Sequence, residues 1–367
     1  MKLFAMGDIS FGDQPLCFGF GTLSRGERDL FAGVSHLWSE GDIVFANLES
    51  VIDLDRAGGA RGFEAQVNRG PSSAAGSLAA AGITVVSLSN NHMLDHGEAG
   101  IAATVGHLDG HGIDHVGSAF RRQRIVRRNG LDVGFLAWSL VPDGGPGRPP
   151  PGDHYNHARD GADIVSDVVS LRPRVDRLVV SLHWGNEFVA LPSPAQTRLA
   201  HHLVDAGADV VIGHHPHVLQ PVERYAGGLI CYSLGNFVTD YWIKTCTLSA
   251  ILKIDLAGDL DHETYPVRID RNFRPGLTRD PAEIASVGAA LAASARPYRD
   301  DYTRMVHRHR LRYRLSAVAH IGRNLARFLR PRSWPFWAWL AKRACFVATI
   351  SLAERRDPEI VYRKDKS

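Results

Sequence analysis

The sequence is poor in cysteine. Four cysteines stand far apart in 367 residues, and none belongs to a Cys-x-x-Cys pair. This spacing argues against the disulfide framework of a small secreted domain and against a zinc site built from paired cysteines. We therefore expect scattered, reduced thiols at Cys17, Cys231, Cys246 and Cys345.

Long apolar runs are missing as well. No stretch approaches the roughly 20 uncharged apolar residues that a membrane-spanning helix needs, and the apolar run before Asp8 is too short for a signal peptide. Hydrophobic residues make up 44% of the chain and charged residues 22%, which is ordinary for a globular protein. We therefore expect a cytoplasmic protein, with peripheral attachment to a membrane as the alternative.

Acidic residues are scarce in the C-terminal part of the chain. Residues 296–367 hold 18 Lys and Arg residues against 6 Asp and Glu residues, a net charge of +12. Residues 1–295 hold 24 against 33, a net charge of −9. An acidic body with a basic tail indicates two tasks, or one task carried out at an anionic surface.

Short apolar runs alternate with helical patterns along the acidic body. This alternation predicts an α/β protein with a buried sheet. The predicted strands are residues 2–7, 43–46, 83–88, 133–138, 178–182, 210–212, 229–233 and 248–256. The predicted helices are residues 28–39, 72–81, 97–110, 160–171, 194–206 and 281–295.

Polar side chains recur just past the C-terminal ends of these strands, at the edge where α/β sheets bind ligands. They are Asp8, Asn47, Glu49, Asn91, His92, His183, His215 and His217. Imidazoles and carboxylates bind divalent metals such as Mn, Zn or Fe, and an amide oxygen adds a neutral ligand. A bound metal lowers the pKa of its water, so that hydrolysis becomes feasible at neutral pH. His92, beside such a metal, suits a general acid.

Each of these residues alone has a simpler interpretation. A lone histidine such as His183 is more often a hydrogen-bonded core residue, and Asn90-Asn91 is typical of a turn. Three histidines within residues 214–217 are harder to explain in this way. Together with the repeated placement at strand ends, they favour a metal site over a set of unrelated polar residues.

Six short motifs stand in the order in which they occur in a known family. They are Gly7-Asp8-Ile9, Ala46-Asn47-Leu48-Glu49-Ser50, Leu88-Ser89-Asn90-Asn91-His92, His183-Trp184-Gly185-Asn186-Glu187, Gly213-His214-His215-Pro216-His217-Val218 and Tyr232-Ser233-Leu234-Gly235-Asn236-Phe237. In these motifs the chain resembles the CapA-type capsule and poly-γ-glutamate biosynthesis proteins of the calcineurin-like metallophosphoesterase superfamily, over about residues 2–240. The resemblance implies a four-layer αββα sandwich with its site at the strand ends.

The resemblance also implies roles for single residues. The implied metal ligands are Asp8, Asn47 or Glu49, Asn91, His183, His215 and His217, with His214 as a further candidate. His92 is implied to protonate the leaving group, and for a hydrolase we expect Asp95 or His96 to orient it. Two motif residues, Glu187 and Asn236, are expected to contact substrate. Further candidates lie in loops that contain no recognised motif: Arg61, Arg69, His154 and His157.

Two positions depart from the broad superfamily. Ser10 stands where a histidine usually follows the first aspartate, and Asn47-Leu48-Glu49 replaces a bridging aspartate. One divalent ion is therefore as compatible with the sequence as two. We expect a metal-dependent hydrolase of capsule, poly-γ-glutamate or related polymer biosynthesis, acting on a phosphoester or on an amide or γ-glutamyl bond. The alternative is a non-catalytic accessory protein of a synthase or export complex that uses the same pocket to bind an anionic polymer.

The C-terminal part of the chain is predicted to be a helical extension. We divide the chain into a main domain, residues 1–275, and a helical extension rich in Arg and Trp, residues 276–367. Apolar residues recur at helical spacing from Trp334 to Leu352. Such a basic, Trp-rich helix either packs on the main domain or lies in an anionic membrane interface. Nucleic-acid binding has only charge in its favour and no motif, so we expect no nucleic-acid partner.

Overall fold

The computed structural model describes residues 1–12, 30–53, 68–141, 153–158, 160–241, 243–295 and 299–323, together with Trp337. The strands within these ranges are β1 Lys2–Ile9, β2 Ile43–Leu48, β3 Val51–Ile52, β4 Arg69–Gly70, β5 Val85–Ser87, β6 Asp114–Val116, β7 Gln123–Arg128, β8 Leu131–Ser139, β9 Arg177–His183, β10 Val210–His214, β11 Val222–Tyr225, β12 Gly228–Cys231, β13 Asn236–Val238, β14 Leu248–Asp255, β15 His262–Ile269 and β16 Pro275–Leu277. The α-helices are α1 Ser73–Ala80, α2 Gly97–Gly110, α3 Ala162–Leu171, α4 Pro194–Asp205, α5 Pro281–Leu291 and α6 Arg299–Arg323.

The strands form two large sheets and one small one. The first sheet has the order β16-β15-β14-β1-β2-β5-β6, with β13 also paired to β1. The second sheet has the order β11-β12-β10-β9-β8-β7, and β3 pairs with β4 alone. Strands β1, β2, β5 and β6 run parallel, as do β8, β9, β10 and β12. Each large sheet therefore contains four adjacent parallel strands, whose C-terminal ends lie along one edge of that sheet.

Three hydrophobic cores separate four layers. The outer face of the first sheet packs on α1 and α2 around residues such as Leu78. The facing sides of the two sheets meet at Phe45 and Phe135, whose stacked rings lie 5.6 Å apart. The outer face of the second sheet packs on α3 and α4 around Val180 and Leu203. The layer order is helix, sheet, sheet, helix, which confirms the expected αββα sandwich.

Helix α6 carries the basic extension back onto the main body. Tyr302 and Val306 are buried against Val189, in the loop that follows β9. Further along the same helix, Tyr313 stacks on Phe188, with ring centroids 4.8 Å apart. These apolar and aromatic contacts position α6 beside the C-terminal end of β9.

One predicted helix is wrong. The apolar spacing of residues 28–39 predicted a helix, but from Leu30 onward the chain forms turns and a short 3-10 helix, Ser35–Leu37. Leu30, Phe31 and Val34 are buried instead in an irregular segment, where Phe31 stacks on Phe237 with ring centroids 6.1 Å apart. Tertiary packing of this kind satisfies the same apolar residues without a helix.

Two predictions concern the C-terminal part of the chain: the domain boundary and the apolar helix. The division after residue 275 falls inside β16, and it stays a prediction. Of the predicted apolar helix from Trp334 to Leu352, all but Trp337 lies outside the described residues. Across the part of the chain that the structure describes, no helix has the length and apolar character needed to cross a bilayer.

Candidate metal centre

The polar residues of the motifs meet where the two parallel strand groups end. Asp8 lies near the end of β1 and is paired in register with Asn47 of β2. His183 is the last residue of β9, and it is paired with His214 at the end of β10. The first sheet thus supplies carboxylates and amides, and the second sheet supplies imidazoles.

Two motif glycines allow the strands to come this close. A Cβ added at Gly7 would lie 2.0 Å from the carbonyl oxygen of Gly235. A Cβ added at Gly213 would lie 2.0 Å from the carbonyl oxygen of Tyr232 and 2.4 Å from Nε1 of Trp184. No side chain fits at either place, so each glycine is required directly before a residue of the site.

Glu49 lies at the middle of the cluster. Its Oε1 lies 3.5 Å from His183 Nε2 and 3.8 Å from the Nε2 atoms of both His217 and His92. The side chain is 2% exposed, and within the described residues this oxygen has no hydrogen-bond partner. A buried carboxylate oxygen without a donor is costly unless something absent from the chain satisfies it.

The donor atoms fit a divalent ion. Two overlapping groups, one of Glu49, His215 and His217 and the other of Asp8, Glu49 and His183, bring their ligand atoms within 4.8 Å of one another. Ligands about 2.1 Å from one ion lie roughly 3 to 3.4 Å apart. The separation of 3.5 Å between Glu49 and His183 approaches that range.

Further orphaned atoms support the fit. Among the described residues, His214 Nε2 and His215 Nδ1 are buried without hydrogen-bond partners. Asn91 Oδ1 lies at a hydrogen-bond distance of 2.8 Å from His183 Nε2, which places this amide oxygen beside a ligand candidate. These residues could hold a divalent metal, and Glu49, which belongs to both groups, could bridge two.

Asp8 and Asn47 have additional tasks. Asp8 Oδ1 accepts hydrogen bonds from Asn47 Nδ2 at 2.9 Å and His214 Nδ1 at 3.0 Å, and its Oδ2 accepts one from the backbone of His215 at 3.2 Å. Asn47 also accepts from Asn90 at 3.3 Å. Asp8 thus orients the histidine cluster while remaining near enough to bind an ion. Asn47 and Glu49 were the two candidates for the ligand that would bridge two metal ions. Glu49 lies at the middle of the cluster, whereas Asn47 donates a hydrogen bond to Asp8.

The histidine loop has an unusual backbone. His215 has φ 92° and His217 has φ 57°, values in the left-handed region that favours glycine. Such conformations cost of order 1–3 kcal/mol each and persist where the surrounding structure demands them. Here the turn directs both imidazoles inward, with ring centroids 5.8 Å apart.

Burial and charge shift the ionisation of the site in the absence of metal. Burial raises the pKa of Glu49 from 4.5 to about 8. Burial lowers the pKa of His215 to about 4 and holds that of His183 well below its ordinary value. For His217, burial acts downward, but Glu49 and Asp8 outweigh it and raise the pKa to about 10. Without an ion, the interacting pair of Glu49 and His217 therefore retains protons to higher pH than two isolated side chains would.

His92 has a partner outside the ligand cluster. Its Nδ1 lies 2.7 Å from Asp95 Oδ2, and its side chain is 22% exposed. Asn68 donates to Asp95 Oδ2 at 3.0 Å and lies 2.8 Å from His92 Nδ1. No motif pointed to Asn68, which precedes β4 with a left-handed φ of 51°. Burial lowers the pKa of His92, but Asp95 raises it beyond that effect.

Comparison with known proteins identifies the family. The family model described as "Bacterial capsule synthesis protein PGA_cap" matches residues 2–241. The chain belongs to this family. All residues of the candidate centre lie within the PGA_cap match.

Several curated relatives match part of the chain. "PGA biosynthesis protein CapA" of Bacillus subtilis is 30% identical over 238 residues, 61% of this chain and 60% of that protein. "Capsule biosynthesis protein CapA" of Bacillus anthracis is 37% identical over 183 residues, 45% of this chain and 42% of that protein. A "Probable polyglutamine synthesis accessory protein" of Mycobacterium tuberculosis is 37% identical over 172 residues, 43% of this chain and 45% of that protein. The chain thus spans about half the length of these curated relatives.

Solved structures superpose loosely on this PGA_cap protein. A phosphatase from Mycoplasma pneumoniae has 10% identity and a TM-score of 0.45, covering 78% of this chain and 96% of that one. A 5'-nucleotidase from Candida albicans has 10% identity and a TM-score of 0.41, covering 85% of this chain and 57% of that one. At these TM-scores neither superposition supports a conclusion about chemistry.

The structure places the expected substrate contacts unevenly. Arg61 lies outside the described residues. Arg69 forms an ion pair with the buried Asp53, which already offsets its charge. Asn236 is buried, and its Oδ1 lies 2.9 Å from His217 Nδ1, so its side chain orients a ligand candidate. Glu187 is exposed at the rim of the centre, close enough to act on the pKa of His217.

The remaining two candidates lie in a short described segment. His154 forms an ion pair with Glu98 of α2 at 3.2 Å. The ring of His157 lies edge-on to Tyr155, with centroids 6.3 Å apart. The structure brings neither ring into the cluster around Glu49, and a role in substrate binding stays a prediction for both.

Proposed function

We propose that this PGA_cap protein is a metal-dependent hydrolase of capsule, poly-γ-glutamate or related polymer biosynthesis. Its target would be a phosphoester or an amide or γ-glutamyl bond. One observation carries the proposal: a buried Glu49 oxygen without a donor stands among three imidazoles, beside a partly exposed His92 that is paired to a carboxylate.

The ligand set suits Mn, Zn or Fe, because imidazoles and carboxylates are combined without thiolates. A bound divalent ion would supply Lewis acidity and a water of lowered pKa. Asp8, Asn91 and the histidines would hold it, and Asn236 fixes the ring of His217 so that Nε2 faces Glu49.

His92 is placed to move a proton. Asp95 binds its Nδ1, so Nε2 is left on the side of the ring that faces Glu49. Burial lowers the pKa of His92, but Asp95 outweighs it and raises the pKa, so the doubly protonated ring persists to higher pH than it would without this carboxylate. A protonated Nε2 at the mouth of the centre can donate that proton to the leaving group of a substrate.

A second function has its own support. Asn47 is neutral at a position where a carboxylate would add a charged metal ligand. Ser10, which is 3% exposed, stands where the superfamily usually has a histidine. Both changes remove metal ligands that a hydrolase of this superfamily would use. A relative named for an accessory role also belongs to the matched set. In this alternative the pocket binds an anionic polymer for a synthase or export complex without cleaving it.

His92→Ala separates the two functions. For an enzyme, turnover should fall about 10²- to 10⁴-fold, because a general acid contributes that much, while bound metal is unchanged. Turnover is measured on a panel of phosphomonoester, phosphodiester and γ-glutamyl substrates, and metal by mass spectrometry. His36→Ala, at an exposed histidine, is the matched control. Full complementation of a pathway deletion by His92→Ala contradicts the hydrolase and supports the accessory role.

A further inference from the structure

The loop that follows β9 contacts both the candidate centre and helix α6. On the side of the centre, the backbone amide of Phe188 in this loop donates a hydrogen bond to the carbonyl oxygen of Pro216 at 2.8 Å. Gln220 Nε2 donates to the carbonyl oxygen of Val189 at 2.7 Å. Pro216 belongs to the histidine loop, residues 214–217, and lies between two of its ligand candidates. The loop after β9 is therefore hydrogen-bonded directly to the segment that carries the imidazoles.

The ring of Phe188 packs on both the centre and the helix. Its centroid lies 6.0 Å from that of His217 and 4.8 Å from that of Tyr313 in α6, and the stack with Tyr313 is nearly parallel, at 11°. Tyr241 packs on both His217 and Phe188, with ring centroids 4.9 Å and 5.7 Å away. Aromatic rings therefore pack beside the His217 imidazole, and α6 contributes the ring that supports one of them.

The backbone of Phe188 is strained. Its φ is 63°, in the left-handed region, where a bulky side chain is a genuine outlier. Such a conformation persists where several surrounding contacts demand it. The hydrogen bond to Pro216 is one such contact, and the stack with Tyr313 is another. Because Phe188 takes part in both, loss of the stack should let its backbone relax and displace the histidine loop.

Helix α6 meets the loop with one face. Tyr302, Val306 and Tyr313 are separated by four and seven residues, a spacing that places them on the same side of a helix. Tyr302 is 1% exposed, and its hydroxyl oxygen accepts a hydrogen bond from Asn186 Nδ2 at 2.7 Å. The family match ends at residue 241, so α6 adds contacts to this loop from outside the match.

We infer that Tyr313 of α6 is a positioning residue of the metal centre, which acts through Phe188 on the imidazole of His217, while Tyr302 anchors the helix to the same loop. The inference rests on the proposed function, since His217 is one of its metal ligands. Outer contacts that orient a ligand are typically worth about 10- to 100-fold in metal affinity. The contact through Phe188 is indirect, so we expect an effect at the lower end of that range.

Three variants test this role. Tyr313→Ala removes the stack, and Tyr313→Phe retains it. Tyr225→Ala is the matched control, because Tyr225 stacks on His201 with ring centroids 3.7 Å apart and pairs with the first residue of β12, at the end of the second sheet away from the centre.

Two measurements are made on each variant. Hydrogen exchange of residues 184–190 and 214–220 is followed by mass spectrometry in EDTA, so that metal cannot contribute, and Mn²⁺ affinity is measured by calorimetry. Tyr313→Ala should exchange faster in both segments and bind Mn²⁺ about tenfold more weakly. Tyr313→Phe should stay within about twofold of wild type because its ring still stacks, and so should Tyr225→Ala.

Several outcomes overturn the role of Tyr313. They are unchanged exchange of residues 214–220 in Tyr313→Ala, faster exchange with unchanged Mn²⁺ affinity, and equal weakening of Mn²⁺ binding by Tyr313→Phe or by Tyr225→Ala. Wild-type protein that binds no Mn²⁺ counts instead against the proposed function. In that case the exchange measured in EDTA still decides whether Tyr313 orders the histidine loop.

Discussion

Glu49→Gln removes the charge at the middle of the centre with little change of shape. In the metal-free protein, burial raises the pKa of Glu49 from 4.5 to about 8. The folded state therefore keeps a proton that the unfolded state loses above pH 4.5, and folding stability falls as pH rises between these two values. At about 1.4 kcal/mol per pH unit, the cost at pH 7 is on the order of 3 kcal/mol.

Glutamine carries no such cost. Metal-free Glu49→Gln should therefore be more stable than wild type at pH 7, by up to about 3 kcal/mol, and the gain should shrink toward zero at pH 5. Metal should have the opposite effect. Because Glu49 belongs to both candidate groups, Mn²⁺ should raise the melting temperature of wild type and leave the variant nearly unchanged.

Urea unfolding in EDTA at pH 5 and pH 7, and thermal melts with and without Mn²⁺, measure both effects. Glu98→Gln, at a side chain 75% exposed on α2, is the control and should change neither. The reasoning is refuted if metal-free Glu49→Gln is no more stable than wild type at pH 7, or if Mn²⁺ stabilises the variant as strongly as wild type.

Three further predictions follow from the same geometry. Metal has to displace the proton of His217, whose pKa is raised to about 10, so Mn²⁺ affinity measured by calorimetry should rise from pH 6 to pH 8, and a flat profile contradicts this. Gly213→Ala drives a Cβ into a carbonyl oxygen and should destabilise the protein by about 1–3 kcal/mol in urea, whereas Gly106→Ala, with open space on α2, should stabilise it slightly; equal effects contradict the close packing. Asp95→Asn should lower the pKa of His92 and move the alkaline limb of the pH–rate profile to lower pH, and an unmoved limb means that Asp95 does not set this pKa.

Much of the fold follows from the sequence because buried strands leave a strong signal. The run 178–182 predicted the core of β9, and the helical pattern of residues 97–110 predicted α2 with its observed bounds. Strand β15 was missed, because most of its first half is exposed and polar, and a strand that faces solvent needs no apolar run. The helix predicted for residues 28–39 was wrong because the spacing of apolar residues indicates which side chains are buried. It does not determine the backbone conformation in which they are buried.

The site was predictable as a set of ligands, since polar residues at parallel strand ends meet at one edge. The choice between Asn47 and Glu49 was not, because it depends on which side chain reaches the space between the sheets. Asn68 was also beyond the sequence, since its contact with His92 depends on a left-handed turn in an irregular loop. Arg69 was predicted to contact substrate because no sequence pattern indicates its ion pair with Asp53.

The central claim is that the cluster around Glu49 holds a divalent ion. Metal-free protein should be loaded with Mn²⁺ or Zn²⁺, dialysed, and analysed for bound metal by mass spectrometry, in parallel with His217→Ala and the exposed control His36→Ala. The account predicts about one to two ions per chain in wild type and control, and a clear loss in His217→Ala. Wild-type protein that retains no ion, or a His217→Ala variant that retains the full complement, contradicts it.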